Sequence, residues 1–204
     1  MTNSAAHWDN IFNAKRDAEL GWFERDLEQT LKYVRCANLH DGACIFIPGA
    51  GTSHLADRLL DMNHRLVLND LSAVALQRAK TRLGNKPIEY LCADIAQAFN
   101  KSVDVDFWLD RAVLHFLTQP DDIRGYFNNV RHCVRPGGYV LLAQFAKGGA
   151  SKCAGLPLKQ YDIADMQTGL GGEFELVSHE AFTFINPLGQ HRPYTYGLFQ
   201  RTGK

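Results

Sequence analysis

Four apolar residues, Cys44-Ile-Phe-Ile47, run into Pro48 and then into Gly49-Ala-Gly51. Proline has no amide donor and forces the residue before it into an extended conformation, so the run ends there as a buried strand. The glycines turn the chain, and Leu55, Leu59 and Leu60 then recur at helical spacing. A strand, a short glycine turn and a helix in that order commit the following chain to an alternating βα pattern, because a parallel partner strand needs a crossover of a dozen or more residues.

The rest of the sequence continues the pattern. Arg65–Asp70 reads as a second strand, and Ser72 as the N-cap of a helix carrying Leu76, Ala79 and Leu83. A third strand fits Ile88–Cys92 before Asp94, and a fourth fits Val105–Leu109 before Asp110. A helix with Ile123, Phe127, Val130 and Val134 follows, and Pro136-Gly-Gly138 predicts a turn into a fifth strand, Tyr139–Ala143. Phe174–Glu180 and Tyr194–Phe199 alternate in the way that the strands of an antiparallel hairpin do, with Asn186-Pro-Leu-Gly189 between them. Ahead of the first strand, residues 5–18 read as a helix with Trp8 and Phe12 four apart, and Leu27, Leu31 and Val34 mark a second. The expectation is one α/β domain, with residues 1–40 a helical lid packed on residues 41–204.

Composition narrows the partners. Lys+Arg 22 balance Asp+Glu 22, so no overall positive field favours nucleic acid or an anionic membrane. The apolar runs fall short of the roughly 20 residues of a membrane span, and the N-terminus lacks the basic and apolar regions of a secretory signal, which predicts a cytoplasmic protein. Five cysteines, with no C-x-x-C pair, predict reduced thiols with neither a disulfide framework nor a bound metal. A monomer or homodimer acting on a small molecule is expected.

In an open α/β sheet, ligands sit beyond the carboxyl ends of the strands at the switch point. Those positions here are Gly49, Gly51, Asp70, Asp94 and Asp110. Asp70 stands nineteen residues after Gly51, the separation at which an acidic side chain accepts hydrogen bonds from a ribose diol, so an adenosine ligand is implied. A dinucleotide fingerprint needs a third glycine where this chain has His54, and no Gly-Lys-Ser/Thr of a phosphate loop follows Gly51. S-adenosyl-L-methionine has the ribose and adenine without a phosphate, and fits what is present.

With Ile45-Phe-Ile-Pro-Gly49-Ala-Gly51-Thr-Ser53, Asp70, Ala93-Asp94-Ile95, Asp106-Phe-Trp-Leu-Asp110-Arg111 and Arg135-Pro-Gly-Gly138, the chain resembles the class I S-adenosylmethionine-dependent methyltransferases over essentially its whole length. The resemblance implies a Rossmann-like sandwich around a mostly parallel seven-stranded sheet with a C-terminal antiparallel hairpin. It places Gly49, Ala50 and Gly51 under the methionine part, Asp70 on the ribose, Asp94 on the adenine amino group and Ile95 over the ring. Trp22, Leu71 and Asp110 complete the cofactor set, and S-adenosyl-L-homocysteine is the implied product. The segment from His7 to Phe23 is similar to the lid of thiopurine or tellurite-type and citrate synthase lysine methyltransferases, and Asp110 to Leu117 shares that likeness. On this basis Asp110, Arg111 and His115 are catalytic candidates, while Trp8, Phe12, His115 and Tyr161 are candidates for the acceptor. Asp110 equally suits a helix N-cap, and His115 a structural histidine.

Two departures stand out: Ile47 replaces the usual acidic residue two places before the first glycine, and Ser53 a third glycine. The amino-acid end of the cofactor then needs backbone carbonyls or Asp110. Methyl transfer from a sulfonium is an in-line displacement that rests mainly on positioning. At pH 7 a thiol costs about 2 kcal/mol to ionise and an amine nearly 5, so the expected acceptor is a small soft nucleophile, a thiol or sulfide. Protein lysine methylation and a non-catalytic cofactor-binding module are the alternatives.

Overall fold

The computed structural model describes residues 3–99 and 103–203. Seven strands form one sheet: β1 (Cys44–Ile47), β2 (Arg65–Asp70), β3 (Ile88–Cys92), β4 (Val105–Arg111), β5 (Val134–Phe145), β8 (Phe174–Ile185) and β9 (His191–Arg201). Their spatial order is β3-β2-β1-β4-β5-β9-β8. The first five run parallel, while β9 lies antiparallel between β5 and β8. Because β1 is flanked by β2 on one side and β4 on the other, the winding reverses beside it. The connecting helices are α3 (Leu55–Asp61), α4 (Ala73–Leu83), α5 (Pro120–Cys133) and α6 (Ile163–Leu170), and α1 (Ala5–Ala14) and α2 (Glu28–Cys36) precede the sheet.

Strand alternation divides the core in two. Ile45, Ile47, Phe107, Leu109, Leu141 and Tyr196 pack on one face with Leu31 and Val34 of α2, Leu59 of α3 and Leu76 of α4. Phe46, Trp108, Val140, Leu142 and Phe199 pack on the other with Tyr126, Phe127 and Val130 of α5 and Met166 of α6. Phe46 and Trp108 stack at 4.2 Å across the β1–β4 pair, fixing its register at the switch point. Each central strand is thus apolar on both faces, as a strand covered by two helical layers must be.

The boundaries depart from the sequence expectation in four places. The first helix stops at Ala14 rather than 18, because Arg16 is extended and its amide is taken by the Glu19 carboxylate at 2.8 Å, starting a 3-10 turn. β4 runs on to Arg111, since Asp110 and Arg111 still pair with Leu142 and Ala143 of β5. Pro136-Gly-Gly138 lies inside β5, where the register shifts between Val105 and Phe107 so that the strand absorbs the extra residues. The hairpin strands are longer, and their loop is closed by Asn186, whose Oδ1 accepts from the amides of Leu188 and Gln190 at 3.0 and 2.9 Å. A two-residue-per-strand hairpin, β6 (Lys152–Cys153) with β7 (Leu156–Pro157), carries no sequence period and was not expected. Among the described residues no helix is long and apolar enough to cross a membrane.

Candidate functional site

A cavity opens at the carboxyl edge of the sheet, over the point where the winding reverses. Its floor is Gly49 and the residues that follow β2, β3 and β4; its roof is Trp8, Phe12 and Trp22. The turn after β1 is tightly fixed. Gly49 sits at φ +52°, and a Cβ there would lie 2.3 Å from Val113 Cγ2, so the glycine lets the turn lie against the chain leaving β4. Ala50 donates to the Asn69 carbonyl at 2.9 Å, and Gly51 to Asp70 Oδ2 at 2.8 Å. Ala50 and Gly51 line an adjoining cavity that meets this one at Trp22, Gly49 and Arg111.

Asp70 does line it. Its Oδ1 accepts the Ser72 amide at 2.8 Å, which leaves each oxygen a further acceptor position. Burial pushes this carboxyl up to about 6, against the amides of Ser72, Gly51 and Leu71 that hold it down. Leu71, Asp94 and Ile95 continue the wall. Asp94 Oδ1 accepts from Ala96 at 2.9 Å, and two asparagines that the sequence reading passed over lock this segment. Asn69 Nδ2 donates to the carbonyls of Leu91 and Ala93, and Asn129 Nδ2 of α5 to those of Ile95 and Gln97.

Asp110 and Tyr161 are elsewhere. Asp110 is fully buried beneath the cavity floor, where Oδ1 takes the Val113 amide at 2.9 Å, and Oδ2 the Leu114 amide at 3.1 Å and the Tyr126 hydroxyl at 2.5 Å. It caps the turn after β4, and burial pushes it up to about 6. Tyr161 is packed into the core on that same face, away from the cavity, with burial raising its hydroxyl. The physical reason is the pleat: consecutive residues of a strand point to opposite sides, so Asp110 and Arg111 cannot both address one cavity from β4.

Arg111 is the member that faces it. Its Nε lies 2.8 Å from Glu24 Oε1, with both side chains only 7% exposed, and Nη1 donates to the Trp22 carbonyl at 3.3 Å. The guanidinium rests on Phe184 and Tyr194 at 4.6 and 5.1 Å from the ring centres. Burial is the largest single effect and opposes its charge, but Glu24, Tyr194 and Tyr196 together outweigh it and hold the group cationic, while burial raises Glu24 itself. Nη2 has no hydrogen-bond partner. His115 also borders the cavity, with a completely enclosed ring beside Phe116, Phe145 and Tyr194 and no hydrogen bond at either nitrogen. Burial, and then the Arg111 charge, push it down to about 3, so it is neutral at pH 7.

The roof is one aromatic cluster: Trp8 contacts Trp22 and Phe116 with ring centres 5.7 and 4.9 Å apart, and Phe12 contacts Trp22 at 6.3 Å. Acidic residues of the N-terminal segment, which the sequence reading missed, anchor it. Asp9 accepts from Ser72 Oγ at 2.6 Å and from the Val74 amide at 3.2 Å; Asp17 pairs with Arg78 at 2.6 Å and accepts from Thr52 at 2.7 Å. The signal was the recurrence of Asp9, Asp17 and Glu24 along the segment. Among the described residues no cluster of three or more His, Cys, Asp or Glu is arranged to hold a metal.

Residues 47–142 match the family model described as a methyltransferase domain. An uncharacterized methyltransferase of Mycobacterium tuberculosis is 32% identical over 102 residues, 50% of each chain, so this chain spans about half the length of the curated relatives it matches. The N-methyltransferase NodS of Bradyrhizobium japonicum, in complex with S-adenosyl-L-homocysteine, superposes with a TM-score of 0.75 at 16% identity, covering 98% of this chain and 99% of that one. A structure described in the conversion of a disulfide bond into a thioacetal group during echinomycin biosynthesis gives 0.75 at 13% identity, with 97% and 92% covered. The likeness to these two is one of fold, the Rossmann-like methyltransferase sandwich.

Proposed function

We propose, from the match of residues 47–142 to the methyltransferase domain family and from the Rossmann-like methyltransferase fold of the chain, that it moves a methyl group from S-adenosyl-L-methionine to a small soft acceptor, a thiol or sulfide-type compound. The residues fit the donor. Asp70 has two acceptor positions free for the ribose diol, Asp94 with Leu71 and Ile95 forms a polar and apolar slot for adenine, and Arg111, whose Nη2 has no hydrogen-bond partner, lines the same cavity as Gly49 for the amino-acid carboxylate. Arg111 thus serves the carboxylate of the donor's amino-acid end, while the amino group, for which Ile47 offers no acid and from which Asp110 is turned away, is left to backbone carbonyls. When bound, the donor supplies a methyl group already activated by a sulfonium. The chain's own work is to align it, exclude water under the aromatic roof of residues 8–22, and present the acceptor.

The observation that carries the acceptor class is the make-up of the wall beyond the donor: neutral His115, cationic Arg111, and the rings of Trp8, Phe116 and Tyr194. Among the described cavity residues the only carboxylates are Asp70 and Asp94, both at the nucleoside end. A lysine ammonium would need nearly 5 kcal/mol to deprotonate at pH 7 and would find no free carboxylate at this wall, Glu24 being paired with Arg111, whereas a thiol needs about 2. This favours a small thiol over protein lysine. The sulfur chemistry named for the echinomycin structure accords with the reading.

The test is to incubate the protein with methyl-labelled donor and, separately, a panel of small aryl and alkyl thiols and a protein extract. Labelled thioethers are expected. Label in a protein band and in none of the thiols would replace the acceptor; calorimetry showing donor binding with no product from either would leave a binding module.

A further inference from the structure

Glu24, from the segment that roofs the cavity, has so far served only as the partner of Arg111. It lines the adjoining cavity, the one bordered by Gly49, Ala50 and Gly51 of the turn after β1, and among the described residues that line it Glu24 is the one carboxylate. Ile47 lines it as well and brings no charge. The two cavities share Trp22, Gly49 and Arg111, so a ligand whose ribose is held by Asp70 reaches from the first into the second along Gly49. What the donor has beyond its ribose and sulfur is an amino-acid end, an ammonium and a carboxylate on the same carbon. Backbone carbonyls accept hydrogen bonds from the ammonium but carry no countercharge, and a cation taken out of water without one is costly.

The Glu24–Arg111 pair has the charges to match both groups. Glu24 Oε1 lies 2.8 Å from Arg111 Nε, and a carboxylate has about four acceptor positions, so this contact leaves Glu24 room for a second cation. Arg111 in turn keeps a buried Nη2 with no hydrogen-bond partner. A lone ammonium entering here would compete with Arg111 for Glu24. A zwitterion gives as much as it takes: its carboxylate goes to Arg111 as its ammonium goes to Glu24, and four charges of alternating sign close on one another. Resting on the reading of the donor given above, we propose that Glu24 is a specificity-determining residue for the donor, its carboxylate binding the donor's ammonium where Ile47 brings no acid. The site thereby selects ligands that carry both charges of an amino acid over ligands that carry the carboxylate alone.

Calorimetry on the whole protein with three ligands tests this: S-adenosyl-L-homocysteine, its deamino analogue with hydrogen in place of the amino group, and methylthioadenosine, which lacks the amino-acid end. The wild type should bind S-adenosyl-L-homocysteine about tenfold or more tighter than the deamino analogue, as a charge-assisted hydrogen bond requires. Equal affinities overturn the proposal with no variant needed. In Glu24→Gln, which keeps the shape and removes the charge, this preference should collapse to about twofold or less, while methylthioadenosine binds as it does to the wild type. A preference that survives in the variant would leave the ammonium to the carbonyls alone and overturns the proposal. An equal loss for all three ligands would make Glu24 a brace for the roof, and overturns it as well. Glu24→Asp, which keeps the charge, should keep part of the preference. Failure of the wild type to bind S-adenosyl-L-homocysteine at all would sink the functional reading itself, a result distinct from binding both amino-acid ligands equally.

Discussion

Asp70 ends β2 with its carboxyl enclosed, and burial, partly offset by the amides of Ser72 and Gly51, places it at about 6. An ionised carboxylate can accept from both hydroxyls of a ribose, but a protonated one spends an oxygen on its own hydrogen. Binding of S-adenosyl-L-homocysteine should therefore weaken as pH falls through 6, and a bound diol should pull the group below that value. Isothermal calorimetry is expected to give an affinity several-fold lower at pH 5 than at pH 7.5. Asp70→Ala should cost about 1–3 kcal/mol of binding at pH 7.5 and flatten this dependence; a profile that keeps its slope in the variant would locate the proton elsewhere. Asp110 has a similar midpoint but faces away from the cavity and spends its oxygens on Val113, Leu114 and Tyr126. Its contribution is to stability, and Tyr126→Phe, which removes a buried hydroxyl donor, should destabilise the fold by about 1–3 kcal/mol in denaturant titration with ligand affinity retained. Both residues were legible from the sequence as strand-end acids. What sequence spacing does not encode is which side of the pleat looks on the cavity, and so it assigned one role to Asp110 and Arg111 together.

At the scale of elements, what the sequence revealed is what periodicity can report. β1, β2 and β3 were read with the bounds they have, since each is a short run closed by a turn residue, and the Ser72 cap is confirmed by its bond to the Ala75 amide at 3.0 Å. Irregular pieces were hidden for the opposite reason. The step inside β5 reads as a turn because proline and two glycines are also the residues of a bulge, and β6 with β7 is too short to have a period. Close approach between elements is equally silent. Gly125 of α5 has the Ala96 carbonyl where its Cβ would be, 1.8 Å away, so the helix rests directly on the loop that holds Ile95 and Asp94. Gly125→Ala must push α5 off that loop, for about 1–3 kcal/mol of overpacking. The Tm should drop by roughly 2–12 °C at this chain length. The same shift should loosen the adenine wall, so weaker S-adenosyl-L-homocysteine binding is expected beside the lower Tm; normal affinity in a destabilised variant would separate the loop from the helix.

Across the whole molecule, the cavity is closed by parts of the chain that only the fold brings together. Trp8 and Phe12 come from α1, Asp70 and Leu71 from the end of β2, Asp94 from beyond β3, Arg111 from the end of β4, His115 from beyond it, and Tyr194 from β9. The N-terminal segment is fastened to α4 through Arg78, which pairs with Asp17 and donates to the Phe12 carbonyl at 2.6 Å, and to β4 through Glu24 and Arg111. A ligand that bridges these segments binds the folded chain and has nothing to bind in the unfolded one. At a hundred times its Kd it adds about 2.7 kcal/mol to the stability of the folded chain, which for a chain of this size corresponds to a rise in Tm of roughly 5–11 °C. S-adenosyl-L-homocysteine should produce that rise in a thermal melt. NAD and ATP should not at the same concentration, because the turn after β1 has His54 in place of the third glycine and no lysine to hold phosphates. Replacing Arg111 by methionine should shrink the rise, since it removes the free Nη2 donor and the hold on Trp22 together. A rise of equal size with NAD would mean that the cavity accepts a pyrophosphate and that its glycine turn has been misread.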